Sequence, residues 1–304
     1  MSQISFDNRV AIITGAGGGL GRAHALALAA RGVRVVVNDL GGSVDGGVDG
    51  SLSMAENVVA EIRDQGGEAF ANGASVTDPV AVKSLIDETI ERFGKVDILV
   101  NNAGILRDKS FAKMTLDDFQ KVIDVHLLGS AICTKAVWAH MRERQYGRII
   151  MTTSSSGMYG NFGQANYGAA KAGLSGFMRT LCLEGAKYNI RVNCLSPVAA
   201  TRMTQGLMPE EILEKLDVES VAQGAVYLAG DDAPNRIILC AGAGGYALTK
   251  VFETDGVSFP KAEQRAENIA AHFDKITDEM GMKEFQNGSE QGTKFVTKAL
   301  SHEK

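Results

Sequence analysis

Val10-Ala11-Ile12-Ile13-Thr14-Gly15-Ala16-Gly17-Gly18-Gly19-Leu20-Gly21 is the stretch on which the reading of this chain turns. Its first four residues are apolar without alternation, the pattern of a parallel strand buried on both faces. A helical pattern follows from Ala23 to Ala30 and ends near Gly32. Strand, glycine turn and helix, in that order, form the setting of a phosphate-binding loop. Glycines let the backbone approach a pyrophosphate, and the start of a helix favours its negative charge. The plainer reading, an ordinary glycine-rich turn, leaves the strand before it and the helix after it unexplained.

The second strand, Val33 to Asn38, ends at Asp39. That is about 20 residues beyond the glycines, where an acid accepts hydrogen bonds from the adenosine ribose and repels a 2′-phosphate. No base follows directly, since the next residues are Leu40-Gly41-Gly42, so NAD(H) is expected over NADP(H). Arg22 is the one nearby cation that would favour a phosphate. Residues 41–53 are low in complexity and read as a loop, with a surface insertion as the plain alternative. A helix over Met54–Gln65, a strand at Glu68–Ala71 reaching Ser75-Val76, a helix over Val80–Phe93 and a strand at Val96–Val100 follow. This alternation predicts a doubly wound, three-layer α/β/α fold with a parallel sheet.

The candidate chemistry lies in Thr152–Gly173, TTSSSGMYGNFGQANYGAAKAG. Tyr167 and Lys171 are four apart, which on a helix puts them on one face. A free tyrosine titrates near pH 10. A neighbouring ammonium favours the phenolate and is expected to lower that value, making Tyr167 a general acid/base. Ser154 follows the apolar run Ile149-Ile150-Met151 and can hold a substrate oxygen. Each signal alone is weak, because Tyr-x-x-x-Lys arises by chance and serine clusters are commonly loops or caps.

Composition narrows the classes. A formal charge of -5 argues against a general nucleic-acid binder. Cys133, Cys182, Cys194 and Cys240 show no Cys-x-x-Cys pairing and read as buried thiols of a reducing compartment. The five histidines form no ligand pair, so no metal is expected. No uncharged apolar run reaches the ~20 residues of a membrane span. The N-terminal MSQISFDNRV carries no charged-then-apolar signal, and the C-terminal Ser-His-Glu-Lys is not the Ser-Lys-Leu address. A cytoplasmic enzyme is the expectation.

With these residues in view the sequence resembles the short-chain dehydrogenase/reductase family. The matching elements are Thr14-Gly15-x-x-x-Gly19-x-Gly21, Asp39, Asn101-Asn102-Ala103-Gly104, Ser154, Tyr167-x-x-x-Lys171 and Asn193-x-x-Ser196-Pro197. They recur in order over residues 8–246. Within the family, Asn38–Gly42, Gly104–Asp108, Tyr146–Met151, Tyr159–Tyr167 and Thr201–Thr204 are similar to the (3R)-hydroxyacyl-CoA dehydrogenase domains of type 2 peroxisomal multifunctional enzymes.

The resemblance implies strand order 3-2-1-4-5-6-7 and a catalytic set of Ser154, Tyr167 and Lys171. It implies that NAD is held by Gly15, Gly19, Leu20, Gly21, Asp39, Ser75, Val76, Asn102, Ala103, Gly104, Tyr167, Lys171, Pro197 and Thr201. Family members commonly place an asparagine at a kink in the long helix read here over Phe119–Met141; this chain has His126, which is as well explained by a structural hydrogen bond as by proton relay. Residues 202–217 form a lid candidate or a plain surface helix. A helix over Val218–Leu228 and a strand at Ile237–Cys240 complete the sheet.

Residues 1–246 are expected to form the Rossmann domain and 247–304 a helical extension packed on the body or on a subunit neighbour. The extension carries an apolar stripe of Ala266, Ile269, Ala270, Phe273, Ile276 and Met280, and its end, from Gln286, reads as mobile. The substrate implied is a small molecule, a 3-hydroxyacyl-CoA, with a hydroxysteroid or a carrier-bound 3-oxoacyl group as alternatives. A non-catalytic NAD(H) sensor or scaffold is the reading from a different class. The family also implies a homodimer or homotetramer, paired through the helices around 119–141 and 164–186.

Overall fold

A computed structural model describes residues 4–46, 51–200 and 210–302. It divides into two compact units, Met1–Leu248 and Thr249–Lys304. In the first, β1 (Val10–Thr14), β2 (Arg34–Asn38), β3 (Ala69–Asn72), β4 (Ile98–Asn101), β5 (Gly147–Thr152), β6 (Ile190–Val198) and β7 (Ile238–Gly242) lie in the order β3-β2-β1-β4-β5-β6-β7, with every pairing among them parallel. This is the expected order.

An eighth strand, β8 (Gly245–Thr249), extends the sheet beside β7. The two-residue turn between them, Ala243-Gly244, has both residues at positive φ, +47° and +73°. That is the primed turn whose twist suits a hairpin. The apolar run in the sequence ended at Cys240 and gave no sign of this strand.

The strand side chains divide between two cores with a period of two. Ala11 and Ile13 of β1 pack with α1 (Gly19–Ala29), α2 (Ser53–Asp64) and α9 (Val218–Ala229), through Leu28, Ile62 and Val221. Val10 and Ile12 pack on the other face with α3 (Pro79–Phe93), α5 (Gly129–Glu143) and α7 (Ala165–Gly185), through Leu85, Val137 and Met178. Between the two faces the strand ends converge on one edge, and the loops there carry the candidate site.

The helix read as one element over Phe119–Met141 has three parts. α4 (Leu116–Ile123) opens on an N-cap at Thr115, whose hydroxyl accepts from Asp118 N. A π-helical turn at Asp124–Leu128 carries His126, and α5 continues from it. The expected kink is thus a π turn, a form frequent at functional sites. The whole stretch Leu116–Glu143 is long and apolar enough to cross a membrane by length and composition. It carries seven charged residues, Asp117, Asp118, Lys121, Asp124, Lys135, Arg142 and Glu143. Cys133, Val137 and Met141 are buried in the domain core.

α6 (Ser155–Tyr159) is a short turn after β5, and α8 (Glu210–Leu213) is what the described residues show of the lid candidate. Residues 202–209 of that lid, and Thr201, lie outside the described residues.

The second unit corrects one expectation. The apolar stripe is not one helix: α10 (Ala266–Ala271) and α11 (Phe273–Ile276) are separated at His272, which has φ −117° and ψ 18°. Ile269, Phe273 and Met280 stay more than half exposed, so the stripe closes no core among the described residues. The segment from Gln286, read from the sequence as a mobile end, forms the helix α12 (Gly288–Leu300). Asn287 caps it by accepting from Ser289 N and Glu290 N. Lys294 of α12 donates to Glu253 Oε1 at 2.6 Å and to Thr254 O at 2.7 Å.

Candidate active site

One cavity of about 740 Å³ runs from the glycine turn to Tyr167. Its lining includes Gly15, Gly19, Leu20, Gly21, Asp39, Ser75, Val76, Asn102, Ala103, Gly104, Tyr167, Lys171 and Pro197. Among the described residues, the structure thus brings the expected cofactor residues together; Thr201 lies outside the described residues. The lining also holds residues outside the expected cofactor set, among them Val44, Gly46, Ile105 and His126, the last of which the sequence had singled out at the helix kink.

The glycine end is built from backbone. A Cβ on Gly21 would lie 2.2 Å from Gly15 O and 2.8 Å from Ala16 Cα, so only glycine lets α1 start this close to the turn. The turn is also stitched to β4. Asn102 Nδ2 donates to Thr14 O and Gly15 O, at 3.0 Å each, and Thr14 Oγ1 accepts from Asn102 N and Ala103 N at the same distance. α1 has no side-chain cap and no acid in its first turn. Its leading residues, Gly19 to Gly21, line the cavity with no side-chain cap on their amides, which suits a pyrophosphate. Asp39 Oδ2 accepts from Gly17 N at 2.7 Å and Oδ1 from Gly41 N at 2.6 Å. Two acceptances leave lone pairs on both oxygens for a ribose diol. These features fit a dinucleotide. Arg22 is committed elsewhere, with its guanidinium donating to Glu61 of α2 at 2.6 to 3.1 Å.

The other end is built from side chains. Lys171 is 3% exposed, and its Nζ donates to Thr152 O at 2.5 Å while lying 5.4 Å from the Tyr167 ring centre. Burial pulls the lysine down to about 7. Burial also pushes the Tyr167 phenol up, a hydrogen bond from Ser154 opposes this, and the Asp108 carboxylate adds to it. The expected lowering of Tyr167 by a neighbouring ammonium is therefore not found. The same desolvation that penalises the phenolate also penalises the ammonium that was to stabilise it.

Ser154 caps α6, accepting from Ser156 N at 3.2 Å, and stands beside Tyr167 without lining the main cavity. Asn193, part of a family motif, is structural. Its amide donates to Pro234 O at 2.7 Å and its oxygen accepts from Ile237 N at 3.0 Å.

His126 sits under this end. Its ring meets the Tyr167 ring edge-on at 5.2 Å between centres. Nε2 is 2.8 Å from Ile105 O and 3.1 Å from Ile105 N, so the backbone offers a partner to either tautomer. Burial, then the Lys171 charge, hold its pKa well below the ordinary value, and the ring is neutral. A Cβ on Gly104 would lie 2.2 Å from His126 Cε1, which explains the glycine after Asn101-Asn102-Ala103. Among the described residues, no group of three or more His, Cys, Asp or Glu side chains is placed to hold a metal.

A nucleotide-type cavity ending in a Ser-Tyr-Lys cluster defines a class: an oxidoreductase that acts on CH–OH groups. The comparisons with known proteins make the assignment specific. The family model described as short chain dehydrogenase matches residues 9–212, and the chain belongs to that family. A Mycobacterium tuberculosis protein described only as a short-chain type dehydrogenase/reductase is 50% identical over 91% of this chain and 96% of its own length.

Peroxisomal multifunctional enzyme type 2 of Mus musculus is 45% identical over 96% of this chain, which spans only 39% of that enzyme. The solved full-length enzyme of that name from Drosophila melanogaster superposes with a TM-score of 0.82, at 34% identity, over 98% of this chain and 50% of its own. A 7α-hydroxysteroid dehydrogenase, solved with NADH and 7-oxo glycochenodeoxycholic acid, gives a TM-score of 0.71 at 30% identity, over 79% of this chain and 95% of its own.

Proposed function

We propose that this chain is an NAD-dependent (3R)-3-hydroxyacyl-CoA dehydrogenase, with Ser154, Tyr167 and Lys171 as its catalytic residues. The observation that carries the proposal is the single cavity that joins Asp39 at one end to Tyr167 and Lys171 at the other. Asp39 takes the adenosine ribose, the leading amides of α1 take the pyrophosphate, and Lys171 and Tyr167 face the nicotinamide ribose. NAD, when bound, supplies the hydride acceptor.

Ser154 holds the substrate oxygen by a hydrogen bond. Tyr167 exchanges the proton of that oxygen, accepting it in oxidation and donating it in reduction. The phenol, raised by burial, is protonated at neutral pH and so stands ready as the donor. In the oxidative direction the Ser154 hydrogen bond, which favours the phenolate, works with rising pH. Lys171, near 7, takes up or releases a proton around neutral pH.

The acyl-CoA reading draws on the similarity to the multifunctional enzymes. The hydroxysteroid enzyme among the structural neighbours keeps a steroid alcohol in view as a second reading. A screen of 3-hydroxyacyl-CoA and steroid alcohols against NAD and NADP, followed at the NADH absorbance band, tests both. Oxidation of (3R)-hydroxyacyl-CoA with NAD is the expected result. Turnover of steroid alone, or a preference for NADP, overturns it, and NAD(H) binding without turnover of any alcohol returns the chain to a sensor or scaffold. The same proposal includes a cytoplasmic enzyme that forms a homodimer or homotetramer through α5 and α7; sedimentation of the full chain as a monomer removes that part.

A further inference from the structure

Residues 41–46 belong to the low-complexity stretch read from the sequence as a loop, and with Leu40 they reach the cavity, where Leu40, Gly42, Ser43, Val44 and Gly46 are part of its lining. They form a strap that leaves β2 at Asp39 and turns back at Ser43, whose carbonyl accepts from Gly46 N at 2.9 Å. The strap rests on a second irregular segment, 105–107. Leu106 N donates to Val44 O at 3.0 Å, and the space beside Gly46 is filled by Ile105.

Arg107 joins this pair to the rest of the site. Its Nε donates to Asp45 O at 2.9 Å and its Nη1 to Asp118 Oδ1 at 3.0 Å. Asp118 is 5% exposed and is fixed in turn by Lys109 and Thr115, both donating at 2.8 Å. The carbonyl of Arg107 accepts from Asn166 Nδ2 at 3.1 Å, and Asn166 Oδ1 accepts from Tyr167 N at 2.8 Å. The neighbouring Ile105 is held by His126.

We propose that Arg107 is a positioning residue: its guanidinium fastens the 40–46 strap over the cofactor cavity and ties that strap to the segment that seats Tyr167. The residue type follows from the geometry. A guanidinium presents several donors in a rigid plane, so one edge meets a carbonyl while another meets a carboxylate. Because Asp118 is already fixed from two other sides, the strap is the partner that yields when the fork is lost. Lysine keeps the charge beside Asp118 but cannot reach both acceptors from fixed positions. This rests on the dinucleotide reading of the cavity, and the two are tested separately.

The test compares the wild type with Arg107→Lys and Asp118→Asn, using NADH fluorescence titration, steady-state kinetics and hydrogen exchange without ligand. In R107K, peptides covering 40–46 and 104–107 should exchange at least about tenfold faster while β1 and β6 stay unchanged. The Kd for NADH and the KM for NAD should rise about tenfold, with kcat kept within about threefold. D118N should show the same pattern more weakly, because it loosens the anchor and leaves the fork. Unchanged exchange in the two peptides overturns the proposal, as does faster exchange spread over the whole domain, which marks a general structural role. If exchange accelerates as expected but the wild type binds no NADH, the dinucleotide reading fails and the fastening role of Arg107 stands.

Discussion

At the glycine end of the cavity the wall is backbone, and a side chain would be in the way: a Cβ on Gly21 would meet Gly15 O at 2.2 Å. At the tyrosine end the wall is side chain, and the groups that matter, Tyr167, Lys171 and His126, are all shifted by burial. Shape decides what the first end can do, and protonation decides the second. The two should therefore fail differently when altered.

The largest expected effect is at the tyrosine end. Tyr167→Phe removes the group proposed to exchange the substrate proton, and kcat should fall about 10²- to 10⁴-fold. NADH affinity, read by fluorescence titration, should change little. Retained turnover in this variant would remove the chemistry assigned to the cluster.

Next comes a pH effect within α1. His24 is fully buried, neither ring nitrogen has a partner, and burial lowers it to about 4. Its unfolded value is near 6.5. The folded state therefore disfavours the proton, so this contribution is fully present above pH 6.5 and is lost as pH falls toward 4. The difference amounts to about 3 kcal/mol at ~1.4 kcal/mol per pH unit. Denaturant melts at pH 7 and pH 4 should show it, and His24→Leu should flatten that part of the profile.

Gly21→Ala sharpens the contrast from the other side. The turn must shift to admit the methyl, at a cost of about 1–3 kcal/mol in stability. Cofactor affinity should drop while the phenol of Tyr167 keeps its titration. A thermal melt paired with the same fluorescence titration checks both halves. The smallest effect is expected at Asp39. Asp39→Asn keeps the acceptor for Gly17 N but loses the charge that repels a 2′-phosphate, and should shift the ratio of NAD to NADP efficiency by about tenfold toward NADP.

What could be read from the sequence follows the same division. Backbone features leave a signature in residue type. The glycine spacing at 15, 19 and 21, the unbroken apolar runs of β1 and β4, and the acid at the end of β2 each name their own role, and strand order followed from family resemblance. Tyr167 and Lys171 were legible as a pair because helical spacing fixes their face. Their charge states were not, since burial is a property of the packed surroundings.

The strap was missed for a related reason. Gly41, Gly42 and Gly46 look like solvent-loop residues, and only the fold brings Gly46 against Ile105. The stripe from Ala266 to Met280 misled in the opposite direction. Its apolar spacing is helical, but His272 departs from helical dihedrals and divides it. β8 was invisible because its five residues are exposed or half-exposed and carry no buried pattern.

The π turn at Asp124–Leu128 lets this helix hold one extra residue without losing its phase. Each residue of an α-helix turns the chain by ~100°. Removing one residue there would restore ordinary helical winding, and because a π turn spreads about the same rotation over one more residue, everything downstream would keep nearly the same face. Cys133, Val137 and Met141 would then still face the sheet they cover. An evolutionary deletion at this spot would thus reshape the backbone around His126 and spare the core several turns away, while loss of one residue elsewhere in α5 would turn that core face by about a quarter-revolution.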